Sequence, residues 1–322
     1  MSVSLEKLQR EATVTGFRLD VLEKVVRLLG LLNAIFKHPF LKNRFVLKGG
    51  TALNLFIFKI PRLSVDIDLN YIGSLDRETM LAERPKIKQA FQAVFSREGL
   101  AVQRIPDDHA GGKWRLKYHR VSGGTGNLEV DVNFMYRLPL YPVKILDSHS
   151  IGSWYAQKIP VLDLHELVAG KLAALLARQQ ARDLFDCNNI LQMEGLDLNL
   201  LRIVFVVYGG MNRKDWREVS IEDIQFDVRD LNSKLVPMLN RDDAKRISDS
   251  AGYGDRLVSE CRERLSAVLP FTDDEYTFLN NLLTEGRIVP ELLTEDKVLQ
   301  DRISSQPGLK WKALHVKKYK KG

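Results

Sequence analysis

The stretch Ser64-Val65-Asp66-Ile67-Asp68-Leu69 decides how the rest of the chain is read. Apolar and polar residues alternate in it with period 2, the pattern of a half-buried strand. Val65, Ile67 and Leu69 share one face; Ser64, Asp66, Asp68 and Asn70 share the other. Two carboxylates two residues apart stand roughly 7 Å apart along a strand. Like charges so placed raise each other's pKa unless a cation lies between them. A divalent metal meets that need, and Mg²⁺ takes one or two carboxylates together with substrate phosphates. The plainer reading is a solvated polar face on an edge strand, and the flanking sequence has to weigh against it.

Upstream, the apolar run Phe45-Val46-Leu47 leads through Lys48 into Gly49-Gly50-Thr51 and then into the helix-like run Ala52 to Phe58. Thr51 is a candidate N-cap. A glycine turn that feeds a helix start presents free backbone N–H groups to an anion, most often a phosphate. Taken alone, such a turn is more often an ordinary strand-to-helix connection. Here it precedes Asp66 by fifteen residues, close enough for one strand–helix–strand unit. A phosphate cradle beside a strand of metal-binding carboxylates is the minimum equipment for phosphoryl or nucleotidyl transfer.

A third carboxylate is offered downstream. Leu128-Glu129-Val130-Asp131-Val132-Asn133-Phe134 alternates as clearly as the first strand, with Glu129, Asp131 and Asn133 on its polar face. Trp114 to His119 alternates too, and Val121 to Asn127, rich in glycine, reads as the hairpin loop between them. Asp131, or Glu129 in its place, could join Asp66 and Asp68 on a metal. Arg115, Lys117 and His119 could face phosphates from the neighbouring strand.

Leu162-Asp163-Leu164-His165-Glu166 carries the signature of a capping box, Asp163 as cap and Glu166 three residues on. At 100° per residue, Leu164, Leu167, Val168, Leu172 and Leu175 form an apolar stripe, and Lys171 falls near its middle. A buried lysine is costly without an anionic partner, although a lysine can also snorkel outward along its stem. Arg178 falls beside the stripe, and if the helical phase continued, Arg182 and Asp186 would share this face too, with Asp183 nearby. That favours a polar seam in which Lys171 neutralises phosphates and Asp186 orients it or carries a proton. An apolar residue would suit the stripe, so Lys171→Met is expected to leave the helix at least as stable.

Four motifs now stand in order: Lys48-Gly49-Gly50-Thr51-Ala52-Leu53, Arg62-Leu63-Ser64-Val65-Asp66-Ile67-Asp68-Leu69, His165 to Ala174, and Arg182-Asp183-Leu184-Phe185-Asp186. Their order and spacing resemble those of the AbiEii/AbiGii toxin family, of the DNA polymerase β-like nucleotidyltransferase superfamily, which includes the mycobacterial MenT toxins. The resemblance implies a metal-dependent nucleotidyltransferase using Mg²⁺ (or Mn²⁺) and an NTP. It also implies the toxin of a toxin–antitoxin or abortive-infection system, restrained by a cognate antitoxin. Studied relatives add nucleotides to the 3′ end of tRNA. Carried over, the metal carboxylates match Asp66 and Asp68, and the phosphate-binding turn matches Gly49 and Gly50, with Ser64 beside the carboxylates. The motif lysine matches Lys171 and the motif aspartate Asp186. Many relatives in the superfamily have Gly-Ser at the turn, whereas this chain has Gly-Gly-Thr. That leaves open whether a hydroxyl reaches the nucleotide from Thr51 or only from Ser64.

Composition agrees. With 322 residues, 45% hydrophobic and 28% charged, the chain has the make-up of a soluble globular protein with room for two domains. Cys187 and Cys261 show neither metal spacing nor a disulfide framework. There is no hydrophobic signal core at the start and no apolar run long enough to span a membrane; a cytoplasmic protein is expected. The formal net charge is +7, yet residues 307–322 hold six lysines and no acid. With Trp311 and Tyr319 among Lys310, Lys312, Lys317, Lys318, Lys320 and Lys321, this tail suits an arm that neutralises RNA phosphates and stacks on bases. A solvated, frayed terminus is the alternative.

The expected fold is α+β. A polymerase β-like nucleotidyltransferase core with an N-terminal helical segment occupies residues 1–150, a mostly helical C-terminal domain residues 151–306, and the basic tail residues 307–322, with the active site in the cleft between the two domains. The expected function is metal-dependent transfer of nucleotides to the 3′ end of RNA, with tRNA the favoured acceptor. The competing readings are a nucleotide- or RNA-binding module with an idle site, and transfer to a protein or a small molecule.

Overall fold

The structure is a computed structural model that describes residues 3–319 apart from 107 and 109. The chain forms two compact units. The first takes in the chain up to Arg137, with Val143–Leu162 and Val236–Arg246; the second takes in Leu138–Pro142, Asp163–Leu235 and the chain from Ile247 onward.

The first unit is built on a seven-stranded mixed sheet. Its strands are β1 (Phe45–Lys48), β2 (Asp66–Tyr71), β3 (Ala101–Arg104), β4 (Gly111–His119), β5 (Thr125–Asn133), β6 (Lys144–Leu146) and β7 (Ile159–Val161), in the spatial order β3-β4-β5-β2-β1-β7-β6. β2 is central. It runs antiparallel to β1 and parallel to β5. Period-2 alternation sorts the side chains as the sequence predicts. Ile67, Leu69, Val130, Val132, Trp114 and Leu116 are buried on one face, while Asp66, Asp68, Glu129 and Asp131 are only partly covered on the other.

Helix α4 (Arg77–Arg97) covers the apolar face. Phe91 and Phe95 pack on Trp114, and Phe91 also meets Phe45 of β1. Before the sheet come α1 (Leu5–Thr15) and α2 (Leu19–Lys37). Helix α2 is anchored to the β4–β5 hairpin by Arg27, which donates to the His119 carbonyl, and by Glu23, which accepts from the Val121 N–H.

The second unit is helical. It contains α5 (Leu164–Arg178), α6 (Ala181–Ile190) and α7 (Leu198–Gly210), followed by helices at Ser250–Leu265, Asp273–Asn280, Lys297–Ser305 and Pro307–Tyr319. A mixed sheet followed by helices is the α+β architecture expected. Among the described residues no helix is long and apolar enough to cross a membrane. Cys187 and Cys261 are both free and buried.

Candidate active site

The strand register assembles the carboxylates. Asp68 of β2 lies directly beside Asp131 of β5, and Asp66 lies beside Glu129. Partners in a parallel ladder point to the same side, so four carboxylates from two adjacent strands form one patch, with strands about 4.8 Å apart. Glu129 is already engaged: its carboxylate meets Lys113 at 3.1 Å and Arg115 at 3.3 Å, both from β4. These two charges and their hydrogen bonds outweigh the effect of burial and hold the Glu129 carboxyl below its ordinary pKa. Burial alone would lower the Lys113 pKa; Glu129, with the charges of Asp66 and Asp131, raises it instead. Lys24 of α2 approaches Asp66 at 3.9 Å. Of the two carboxylates the sequence left open, Asp131 is therefore the one seated next to Asp68, and Glu129 the one committed to β4.

The glycine turn interlocks with this patch. Gly49 has a φ of 75°, and a Cβ there would stand 2.2 Å from the Asp68 carboxylate. Only glycine fits, both because the backbone is left-handed and because Asp68 occupies the space. The turn opens a short helix, α3 (Gly49–Ala52), that continues as a π-turn to Ile57. Its N-cap is Lys48, whose side chain makes no capping hydrogen bond, so Thr51 is not the cap that the sequence predicts. Thr51 sits inside the first turn and is fully buried. Its hydroxyl lies 3.0 Å from the Ser64 hydroxyl and donates to the Asp66 carbonyl. Both hydroxyls thus tie the turn to the carboxylate strand.

The patch contains only oxygen donors. Among the described residues no three His, Cys, Asp or Glu side chains are gathered as a complete metal cage. The donor set fits a hard cation of the Mg²⁺ type, which is held by one or two carboxylates and completes its shell with water and substrate phosphates.

The second polar cluster lies in the second unit. Lys171 of α5 is buried, and its Nζ stands 2.9 Å from both Asp183 and Asp186 of α6. Arg178 reaches Asp183 at 2.7 Å. Burial would raise the Asp183 pKa, but Lys171 and Arg178 together hold it below its ordinary value. The seam predicted from the helical wheel exists, though not through one continuous helical phase. Helix α5 stops at Gln179, whose φ of 52° is left-handed, and α6 starts anew and folds back. Asp183, not Arg182, completes the cluster. The expectation that methionine would suit position 171 is overturned, because two buried carboxylates would lose their shared cation.

Glu166 also departs from its expected place. Asp163 caps α5 through the His165 N–H, as predicted. Glu166 does not turn back to the cap. Its oxygens accept from the Tyr141 N–H at 3.1 Å and the Tyr208 hydroxyl at 2.7 Å. Burial pushes its carboxyl up to about 7 against the pull of these hydrogen bonds.

Sequence reasoning missed Lys24 and Lys113. Lys113 continues the polar face of β4 two residues before Arg115, so alternation could have found it. Nothing local marks Lys24, which comes from a helix far upstream.

Comparison with known proteins completes the picture. Residues 30–268 match the family described as Nucleotidyl transferase AbiEii toxin, Type IV TA system. The chain belongs to this family. It is a nucleotidyltransferase of the toxin–antitoxin class, as the four motifs imply. Among solved structures it is similar to the nucleotidyltransferase toxin MenT4 of Mycobacterium tuberculosis H37Rv, with a TM-score of 0.62 at 19% identity over 94% of this chain and 99% of that one. At that identity the likeness speaks for the fold. No curated protein matches the sequence significantly.

Proposed function

We propose that this AbiEii-family toxin is a metal-dependent nucleotidyltransferase that adds nucleotides from an NTP to the 3′ end of RNA, tRNA being the favoured acceptor. The observation that carries the reading is the register of Asp68 with Asp131, beside Asp66, against a turn whose glycine is shaped by Asp68. One or two carboxylates at a time from Asp66, Asp68 and Asp131 would hold Mg²⁺ or Mn²⁺ together with substrate phosphates. When bound, such an ion neutralises charge on the phosphates and favours the ionised form of an attacking hydroxyl.

The chain's own residues do the rest. The Gly49 and Gly50 N–H groups receive phosphate oxygens. Thr51 and Ser64 keep the turn and the carboxylate strand in fixed relation, so the phosphates and the acceptor oxygen meet without rearrangement. Lys113 holds Glu129 and adds positive charge to the patch. In the transfer, the RNA 3′ oxygen forms a bond to the α-phosphorus, the bond to pyrophosphate breaks, and the hydroxyl proton passes to solvent or to a carboxylate of the patch. In this reading a cognate antitoxin restrains the enzyme in the cytoplasm.

The test is to incubate the protein with each labelled NTP, Mg²⁺ and total RNA, and to resolve the products on a gel. Metal-dependent labelling of an RNA band, absent with Asp68→Ala, is expected. Label appearing only in protein or in a small molecule would replace the RNA acceptor. No label with any NTP would leave a binding module.

A further inference from the structure

The C-terminal basic segment is a packed helix, Pro307–Tyr319, in the second unit. Lys320, Lys321 and the Tyr319 side chain lie outside the described residues. The helix has two faces. Leu309 and Ala313 are buried on the inner one, and Lys312 donates to the Asn212 carbonyl at 2.8 Å. On the outer face, Trp311, Leu314, His315 and Lys318 follow one another at i, i+3, i+4 and i+7, all exposed, with Lys310 and Lys317 beside them. Such a stripe of exposed bulky residues on a helix with a properly buried opposite face is not explained by packing.

Two observations point to what covers it. Trp311 and His315 are stacked, with ring centroids 4.8 Å apart and planes inclined by 19°. Trp311 is nevertheless 54% exposed, whereas Trp114, Trp154 and Trp216 are buried. The flat pair is thus fixed in place and still offers aromatic surface. Within the segment itself the charge is of one sign, since residues 307–322 contain no acid; Asp215 answers Lys312. Aromatic faces flanked by cations are the means by which proteins hold single-stranded nucleic acid without reading its sequence.

We propose that the outer face of the Pro307–Tyr319 helix is a docking platform for a single-stranded segment of the RNA acceptor. A base stacks on Trp311, supported from behind by His315, and Lys310, Lys317 and Lys318 neutralise the adjoining phosphates. The inference rests on the reading of RNA as acceptor, and its test is separable from that reading because binding is measured without transfer.

The experiment uses the full chain and a fluorescent single-stranded oligoribonucleotide, followed by anisotropy across a range of salt concentrations. Because Trp311 and His315 are exposed, Trp311→Ala and His315→Ala should leave the thermal unfolding midpoint unchanged. Trp311→Ala is expected to weaken binding about fivefold or more, the scale of one lost base stack, with the salt slope intact. Replacing Lys310, Lys317 and Lys318 by Gln should flatten the slope of log affinity against log salt by about 2, since each phosphate contact contributes about 0.7 on single strands. The wild-type Trp311 emission should be quenched by the oligonucleotide. Unchanged affinity and slope in both sets of variants would overturn the platform. So would Trp311-dependent binding to phosphatidylglycerol vesicles or to polyglutamate that the oligonucleotide does not compete away. If the variants bind normally while wild-type protein still labels RNA, the platform falls and the proposed function stands. If wild-type protein labels no RNA but binds the oligonucleotide through Trp311, the platform stands and the acceptor assignment falls.

Discussion

The carboxylate patch of the sheet and the Lys171 seam of the helices use the same chemistry, acids beside cations, in opposite ways. On the sheet, Asp66 keeps 32% of its side-chain surface exposed, and the facing Lys24 is a loose 3.9 Å away. In the seam, Lys171, Asp183 and Asp186 are nearly or fully buried, with short contacts on both sides of the ammonium. An acidic patch with partial access to water can exchange its counter-ions for a metal and a nucleotide. A buried cluster with matched charges stabilises only while it is complete, since each charge removed leaves another stranded in low dielectric. Substitutions in the two places should therefore separate activity from stability.

The sharpest separation is expected at Asp68. Asp68→Ala should reduce transfer about a thousandfold or more, the scale of losing a metal's contribution to the transition state. Its unfolding midpoint in urea should stay the same or rise, because repulsion with Asp66 and Asp131 is relieved. A variant that unfolds easily would make the patch structural and erase the contrast.

In the seam the order reverses. Lys171→Met should destabilise the protein by about 3–5 kcal/mol, the usual cost of breaking a buried ion pair from one side. Adding Asp183→Asn and Asp186→Asn to it should restore part of that loss, measured by chemical unfolding. If Lys171→Met alone unfolds at the wild-type midpoint, the seam is not the closed cluster described.

Glu166 gives a pH test of burial in the same unit. Its carboxyl is raised from 4.5 to about 7, so the folded state holds a proton that the unfolded chain has lost. Its contribution is complete below pH 4.5 and is lost as pH rises through about 7. The full effect is at most about 3 kcal/mol. Glu166→Gln should remove this decline from a plot of unfolding free energy against pH. An unchanged slope would assign the decline to other groups.

The smallest effect belongs to the hinge between turn and strand. Thr51→Val removes the hydroxyl that joins Ser64 and the Asp66 carbonyl, and should cost about 1–2 kcal/mol of stability, with Thr51→Ser largely restoring it. If Thr51→Val instead weakens NTP binding at unchanged stability, the hydroxyl acts on the nucleotide and not on the scaffold.

How much of this was legible beforehand depended on the range of the interactions. Alternation in residues 64–69 and 128–134 is local, because successive side chains of a strand point to opposite faces whatever the strand pairs with. It was enough to name Asp66, Asp68 and the alternatives Glu129 and Asp131, and to place them on polar faces. The glycine turn was legible from its place between an apolar run and a helix-like one; that Gly49 is left-handed and pressed against Asp68 was not. Helix phase was legible within α5, where it put Lys171 on the buried stripe.

Tertiary structure decided what alternation and phase leave undetermined. Strand register chose Asp131 over Glu129 as the neighbour of Asp68, since a shift of two residues would have preserved every face and exchanged the two. The break at Gln179 replaced a continuous wheel by a second helix folded back, and so made Asp183 a partner of Lys171. The burial of Glu166 under Tyr141 and Tyr208 overrode a sound local capping signal, because partners distant in sequence satisfied its oxygens better than its own helix start. The sequence determined which residues could carry the chemistry through short-range geometry; only the packing of distant segments determined which charges each of them meets.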